Sequence, residues 1–354
     1  MSSNSIFIKN IYYMLSYAFR ELSEGVYENI AKEEFENIHN LFAAILVKGI
    51  SKQLKQGLYR EYISFNEDLP ALRGKINMPG TIQNYISQKR KLSCDYDELS
   101  VNNTLNQILK VTSLLLIKHE NVDADYKNEL KKEILYFSDV DLIDPTIINW
   151  SGIKLHRNNA SYRLLLSICQ LVMEGMLLTT TDGEYRLSSF VDDQRMCRLY
   201  EKFILEYYAK EWPCIKVSAP EIPWALDDGI GTMLPAMQSD IVLQHGDKSL
   251  VIDAKYYGKI MQTQFDVDTV RSNNLYQIFT YVKNMASHKG NDKEVAGMLL
   301  YAKTDKGIQP DFVYHMSGNQ ISVMTLDLNV EFFEISEQLN RIASDYFNLV
   351  RTMS

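Results

Sequence analysis

Ser239-Asp240-Ile241-Val242-Leu243 runs into a turn at His245-Gly246-Asp247, and Leu250-Val251-Ile252-Asp253-Ala254-Lys255 returns from it. Two short apolar runs joined by so tight a glycine-containing turn make a β-hairpin. Strand side chains alternate between faces, so Asp253 and Lys255 share one face of the returning strand, with Val251 before them. That strand passes from buried to polar at its C-terminal end, and the neighbouring strand delivers Asp240 beside the pair. Charges set in an otherwise apolar strand are expensive unless partnered, which points to chemistry rather than to a solvated surface.

Two carboxylates and an ammonium are the groups that metal-dependent phosphodiester hydrolysis needs. Mg²⁺ is a hard cation that takes one or two carboxylates and keeps its other positions for water and phosphate. It polarises the phosphate and lowers the pKa of a bound water. A nearby ammonium orients that water and stabilises the charge that grows in the transition state. Asp240 and Asp253 fit as ligands and Lys255 as the stabiliser.

Outward from the hairpin, the C-terminal half reads as strands at Met237 to Gln244, Ser249 to Tyr257 and Val295 to Ala302. A helix from Val267 to Met285 interrupts them, and a last helix covers Glu331 to Val350. Upstream, Ala160 to Leu178 and Asp193 to Trp212 are helical. In the N-terminal part, Ile8, Ile11, Tyr12, Leu15, Ala18, Phe19 and Leu22 recur at three- and four-residue spacing, the stripe of an amphipathic helix. Phe35, Ile38, Leu41, Phe42, Ile45 and Leu46 mark a second helix, ended by Gly57. From Tyr59 the pattern turns to short strands and turns, punctuated by Pro70, Gly74, Pro79 and Gly80. Ser100 is the expected N-cap of the next helix, and a charged helix follows from Tyr126 to Tyr136. Pro145 and Gly152 mark a boundary, giving an N-terminal mixed helix/strand domain over 1–150 and a second domain over 151–354. The fold class is α/β, a mixed sheet flanked by helices.

A chain of 354 residues exceeds what one core usually organises, which agrees with two domains. Its net charge of -8 argues against coating nucleic acid unaided, so a local groove or a partner supplies that affinity. The start, Met1-Ser2-Ser3-Asn4-Ser5, shows no basic region followed by an apolar stretch, and no apolar run approaches the roughly 20 residues that span a bilayer. Cys94, Cys169, Cys197 and Cys214 lie far apart with no C-x-x-C pair, which makes zinc or a disulfide framework improbable and a cytoplasmic location the expectation. His245 sits beside the hairpin turn, but two carboxylates suit Mg²⁺ better than imidazole does.

Asp240, a short spacer and Asp253-Ala254-Lys255 resemble the PD-(D/E)xK nuclease pattern. Gln277 and Tyr281, four apart on one helix face, match the Q-x-x-x-Y motif that follows the active site in RecB-like members. Glu201, in Leu199-Tyr200-Glu201-Lys202-Phe203, matches the helical glutamate those enzymes use as an additional metal ligand. Beyond this core, the chain resembles the McrC family, the endonuclease subunits of McrBC modification-dependent restriction systems. The matching pieces are Ile8-Lys9-Asn10-Ile11-Tyr12-Tyr13-Met14-Leu15, Leu72-Arg73-Gly74-Lys75-Ile76 and Cys94-Asp95-Tyr96-Asp97-Glu98-Leu99-Ser100-Val101-Asn102, in that order before the nuclease motif.

The resemblance implies that 1–150 docks on a McrB-like AAA+ GTPase ring and stimulates its GTP hydrolysis, while 151–354 is a PD-(D/E)xK domain that cuts double-stranded DNA carrying 5-methylcytosine. It implies Mg²⁺ held by Asp240, Asp253 and Glu201, catalytic roles for Asp240, Asp253, Lys255, Gln277 and Tyr281, and GTP used only through the partner. The sequence has no G-x-x-x-x-G-K-[ST] loop of its own, in line with a separate motor. Arg73 and Lys75 flank Gly74 in a turn, where a basic loop can reach acidic or phosphate groups of the ring. Two other readings compete. A stand-alone RecB-like nuclease acting on DNA ends is disfavoured in its iron-sulfur form, because no cysteine follows Cys214. A non-cutting activator of an AAA+ ring is disfavoured by the intact Asp240, Asp253 and Lys255 set.

Overall fold

The computed structural model describes residues 3–19, 22, 27, 30, 33–181, 184–191, 193–256, 261–264, 267–289, 293–303 and 310–349. In chain order its main elements are α1 (Ser3–Ala18), α2 (Ile38–Gln56), β1 (Glu61–Leu69), β2 (Lys75–Ile76), α3 (Met78–Ile86), β3 (Leu92–Ser100), α4 (Thr104–Lys118), α5 (Ala124–Ile134) and α6 (Arg163–Gly175). There follow β4 (Met176–Thr181), β5 (Glu184–Val191), α7 (Asp193–Glu211), β6 (Lys216–Ser218), β7 (Glu221–Ile222), β8 (Met237–Gln238), β9 (Ile241–His245) and β10 (Lys248–Lys255). The last are β11 (Met261–Gln264), β12 (Val267–Val270), α8 (Ser272–Lys289), β13 (Glu294–Ala302), β14 (Phe312–Met316), β15 (Asn319–Leu326) and α9 (Phe332–Phe347). Among the described residues, no helix is long and apolar enough to cross a membrane.

Two compact units result, and they do not divide at residue 150. One comprises Met1–Leu41, Glu174–Leu177 and Ser188–Ser354, and the other Phe42–Met173 and Leu178–Leu187. The first 41 residues therefore join the C-terminal unit, which corrects the boundary expected from Pro145 and Gly152. The cause is packing. Tyr17 of α1 lies against Phe203 and Tyr207 of α7, ring centroids 5.7 and 5.3 Å away, and its hydroxyl donates to Glu211 Oε1 at 2.8 Å. Asn10 Nδ2 donates to the carbonyls of Leu328 and Val330 at 2.8 and 2.7 Å.

That first unit is built on a six-stranded sheet of order β14-β15-β13-β10-β9-β6. β10, β13 and β15 run parallel, while β9 is antiparallel to β10 and to β6. A parallel pair needs a crossover, and α8 lies in the one that joins β10 to β13. Ile278, Tyr281, Val282 and Met285 of α8 pack on Val242, Val251, Leu299, Tyr301, Ile321 and Val323 of the sheet. The helix comes so close that a Cβ on Gly297 would lie 2.7 Å from Val282 Cγ2 and 2.8 Å from Ile278 Cγ1, so a side chain there would force α8 off the sheet. Val267–Val270, expected to begin this helix, forms β12 and pairs with β11 instead. Three of its four residues are β-branched, which suits a strand better.

In the second unit, β1, β3 and β2 form an antiparallel sheet, with α3 between β2 and β3 in sequence. Pro79 and Gly80 read as turn residues but occupy the first turn of α3, where a missing N–H costs nothing and Asn77 supplies the cap. Asn103, not Ser100, caps α4: Ser100 ends β3, and the Asn103 side chain accepts from the Asn106 N–H. Asn103 and Asn106 both donate to the Tyr59 carbonyl at 2.9 Å, and the buried Tyr162 hydroxyl donates to Asn106 Oδ1 at 2.8 Å. This network ties α4 to the chain entering β1. The expected strand end at Tyr257 and helix end at Val350 lie outside the described residues.

Candidate active site

The β9–β10 hairpin turns through Gly246 and Asp247, with Gly246 in the left-handed region at φ +57°. Its register runs from His245 opposite Lys248 to Ile241 opposite Ile252. β9 stops there. β10 continues for three more residues beside β13, placing Asp253 opposite Leu299 and Lys255 opposite Tyr301. Asp240 is thus not within a strand, as expected from the sequence, but in a bend immediately before β9. The Ala254 N–H, beyond the last β9 pair, donates to Asp240 Oδ2 at 3.0 Å. A carboxylate takes the place of the missing strand partner.

Asp253 is completely buried. Its Oδ1 accepts from Lys255 Nζ at 2.9 Å, and its Oδ2 has no hydrogen-bond partner. The same ammonium stands 3.9 Å from Asp240 Oδ2. Burial pushes the Asp253 carboxyl up to about 7; the Lys255 charge opposes this and the Asp240 charge adds to it. An acid held near neutrality by desolvation and a like charge marks a place where a further cation would be favoured.

Glu201 comes from α7, where Cys197 precedes it by one turn and its thiol lies 3.1 Å from Glu201 Oε1. Burial raises the Glu201 carboxyl and the Asp240 charge raises it further. Burial also raises the Cys197 thiol to about 12, which keeps it protonated and a donor at neutral pH. Asp240, Asp253 and Glu201 do not form a preassembled ligand set: among the described residues no three His, Cys, Asp or Glu side chains are grouped to hold a metal. Lys255 bridges the two aspartates, and Glu201 is turned to Cys197.

Gln277 Nε2 donates to the Tyr281 hydroxyl at 2.9 Å, and that hydroxyl donates to the Gln238 carbonyl at 3.0 Å. The pair therefore reaches the chain two residues before Asp240. Arg73 and Lys75 belong to the other unit. Arg73 lies 4.1 Å from the Tyr96 ring centroid and 3.4 Å from Glu98, and Lys75 opens β2 opposite Asp95. His245, at the turn end of β9, meets the Cys214 carbonyl at 3.0 Å through Nδ1. Cys197 and Ser239 were not singled out by sequence. The i, i+4 spacing of Cys197 and Glu201 is the signal that could have found the first.

The family described as McrBC 5-methylcytosine restriction system component matches residues 5–302. The chain is 26% identical over 343 residues to the type IV methyl-directed restriction enzyme EcoKMcrBC of Escherichia coli (strain K12), covering 96% of this chain and 97% of that protein. Among solved structures it is similar to a chain of the refined half-complex from the tetradecameric assembly of Thermococcus gammatolerans McrB AAA+ hexamers with bound McrC. That match has a TM-score of 0.54 and 18% identity, and it covers 96% of this chain and 75% of the other.

Proposed function

The chain belongs to the McrBC family of 5-methylcytosine restriction system components, and from that premise we propose that it is the subunit that cuts: a Mg²⁺-dependent endonuclease that hydrolyses phosphodiester bonds of modified double-stranded DNA. The observation that carries this reading is the buried Asp253 Oδ2, which lacks a partner while Asp240 and Lys255 stand beside it. A buried carboxylate oxygen left unsatisfied is costly, and a cation is the group that would satisfy it.

Asp240 and Asp253 would hold that cation, with Glu201 recruited from α7 as a third ligand once it leaves Cys197. When bound, the cation polarises the phosphate and makes water a nucleophile near neutral pH. Until then Lys255 offsets the negative charge of the two aspartates, its Nζ 2.9 Å from Asp253 Oδ1 and 3.9 Å from Asp240 Oδ2. Its ammonium is then placed to stabilise negative charge growing on the phosphate. The apolar sheet around the site keeps water from screening these charges.

With no nucleotide loop of its own, the chain depends on a McrB-like AAA+ GTPase ring, and GTP acts through that partner alone. Docking falls to the unit containing Arg73 and Lys75, whose α3 leaves Met78, Ile82, Tyr85 and Ile86 exposed. An apolar patch of this kind fits a protein partner. Four free cysteines agree with a cytoplasmic complex.

The test uses the chain reconstituted with its GTPase and methylated DNA. Asp253→Ala and Lys255→Ala should each lower cleavage by on the order of 10³-fold and leave stimulated GTP hydrolysis intact. Cleavage that survives both changes would sink the nuclease assignment and leave a ring activator.

A further inference from the structure

Asp240 stands where no sheet ladder holds it. β8 pairs with β7 in a two-stranded ribbon, whereas β9 belongs to the six-stranded sheet, and Ser239 and Asp240 are the two residues that cross between them. A reacting group has to be held to within roughly 0.5 Å by the contacts that support it, so something other than strand pairing must do this for Asp240.

We propose that Ser239 and Tyr281 are positioning residues for Asp240, clamping the main chain that carries it; the inference rests on the nuclease reading above. Ser239 is 1% exposed. Its hydroxyl donates to the Pro220 carbonyl at 2.7 Å and its N–H to the same oxygen at 3.2 Å. One residue earlier, the Gln238 carbonyl receives the Tyr281 hydroxyl at 3.0 Å, and Gln277 orients that hydroxyl from one turn away on α8. The Gln238 side chain adds a bond to the Ala219 carbonyl at 2.7 Å.

Four hydrogen bonds thus converge on the two residues before Asp240, two of them to a proline carbonyl at the mouth of β7. With this segment fixed, the Asp240 carboxylate meets the Ala254 N–H at the open end of β10. Gln277 and Tyr281 accordingly act through Asp240 rather than on the reacting atoms. Ser239 is a member of the same device that no motif marks.

The Ala254 amide reports the clamp without any metal or DNA. In Ser239→Ala and in Tyr281→Phe, its hydrogen exchange in the full-length chain should quicken by about 10-fold, while the amides of Val251 and Ile252 stay as slow as before. Unchanged exchange at Ala254 in both variants overturns the proposal, and Tyr281→Phe, which keeps the ring in the core, decides alone if Ser239→Ala does not fold. Calorimetric titration with Mn²⁺ adds a second readout. Each variant should bind it roughly 5-fold more weakly, and Ser239→Ala should add no loss to an Asp240→Asn chain. An equal loss in that background also overturns the clamp. A wild-type chain that takes up no Mn²⁺ defeats the metal reading instead, and the exchange rates then decide the clamp by themselves.

Discussion

The end of the β9–β10 hairpin hides charge inside an apolar sheet, whereas α3 in the other unit does the reverse. Asp253 is fully buried with Val251 and Ile252 beside it in sequence. α3 buries its asparagine, Asn84, against Asp68, and turns Met78, Ile82, Tyr85 and Ile86 to solvent, Tyr85 to 84%. Those four residues fall at i, i+4, i+7 and i+8, one helix face, and that apolar stripe faces outward instead of into a core. Each region inverts the usual partition of polar and apolar groups. Folding alone rewards neither inversion. On the function proposed above, binding would relieve both, a cation and phosphate in the first case and a protein surface in the second.

The comparison breaks first on α3. Ile82→Ser with Tyr85→Ser should reduce stimulation of the ring's GTP hydrolysis by about 10-fold or more, as loss of interface anchors does. Thermal unfolding of the isolated chain should stay within about 0.5 kcal/mol of wild type, because these side chains are exposed. A large loss of stability would make α3 part of a core.

The hairpin end should respond with the opposite sign. The Asp253 carboxyl is raised to about 7, so the metal-free fold favours its neutral form. That contribution is fully present below the ordinary carboxylate value of about 3.9, and it is lost as pH rises through 7. Asp253→Asn keeps the shape without the charge. It should raise the metal-free melting temperature by roughly 5 °C at pH 8 and leave it nearly unchanged at pH 4. A lower melting temperature at pH 8 would mean that the fold needs the charge for itself.

The smallest effect is expected at Arg73, whose ion pair with Glu98 is about half exposed on both sides. Arg73→Ala should lower the melting temperature by at most about 2 °C. Any larger fall in ring stimulation then reports contact with the partner rather than loss of local structure, and it would extend the exposed α3 face onto the adjoining sheet.

Much of the candidate site was legible because strand geometry is local. Gly246 sets the turn, and period-two alternation then places Val251, Asp253 and Lys255 on one face whatever surrounds them. The i, i+4 pair of Gln277 and Tyr281 was legible for the same reason, and the two do hydrogen-bond. What they bond to next was not. The Gln238 carbonyl lies more than 40 positions away in sequence, and backbone periodicity carries no information about it. The helix α3 was missed because Pro79 and Gly80 serve equally in turns and in a first helical turn, and only the Asn77 cap separates the two.

Sequence by itself determined the hairpin, its polar end and the placing of Asp253 and Lys255 on one face, since each follows from dihedral preferences and spacing within a few residues. Tertiary structure alone decided three further features. It placed Asp240 outside the ladder with its carboxylate on Ala254, drew residues 1–41 into the same unit as the sheet, and turned the apolar face of α3 outward. The physical reason is common to all three. Each depends on which distant surface a segment meets, as when Asn10 finds the carbonyls of Leu328 and Val330, and such meetings are settled by packing and by satisfying buried polar groups.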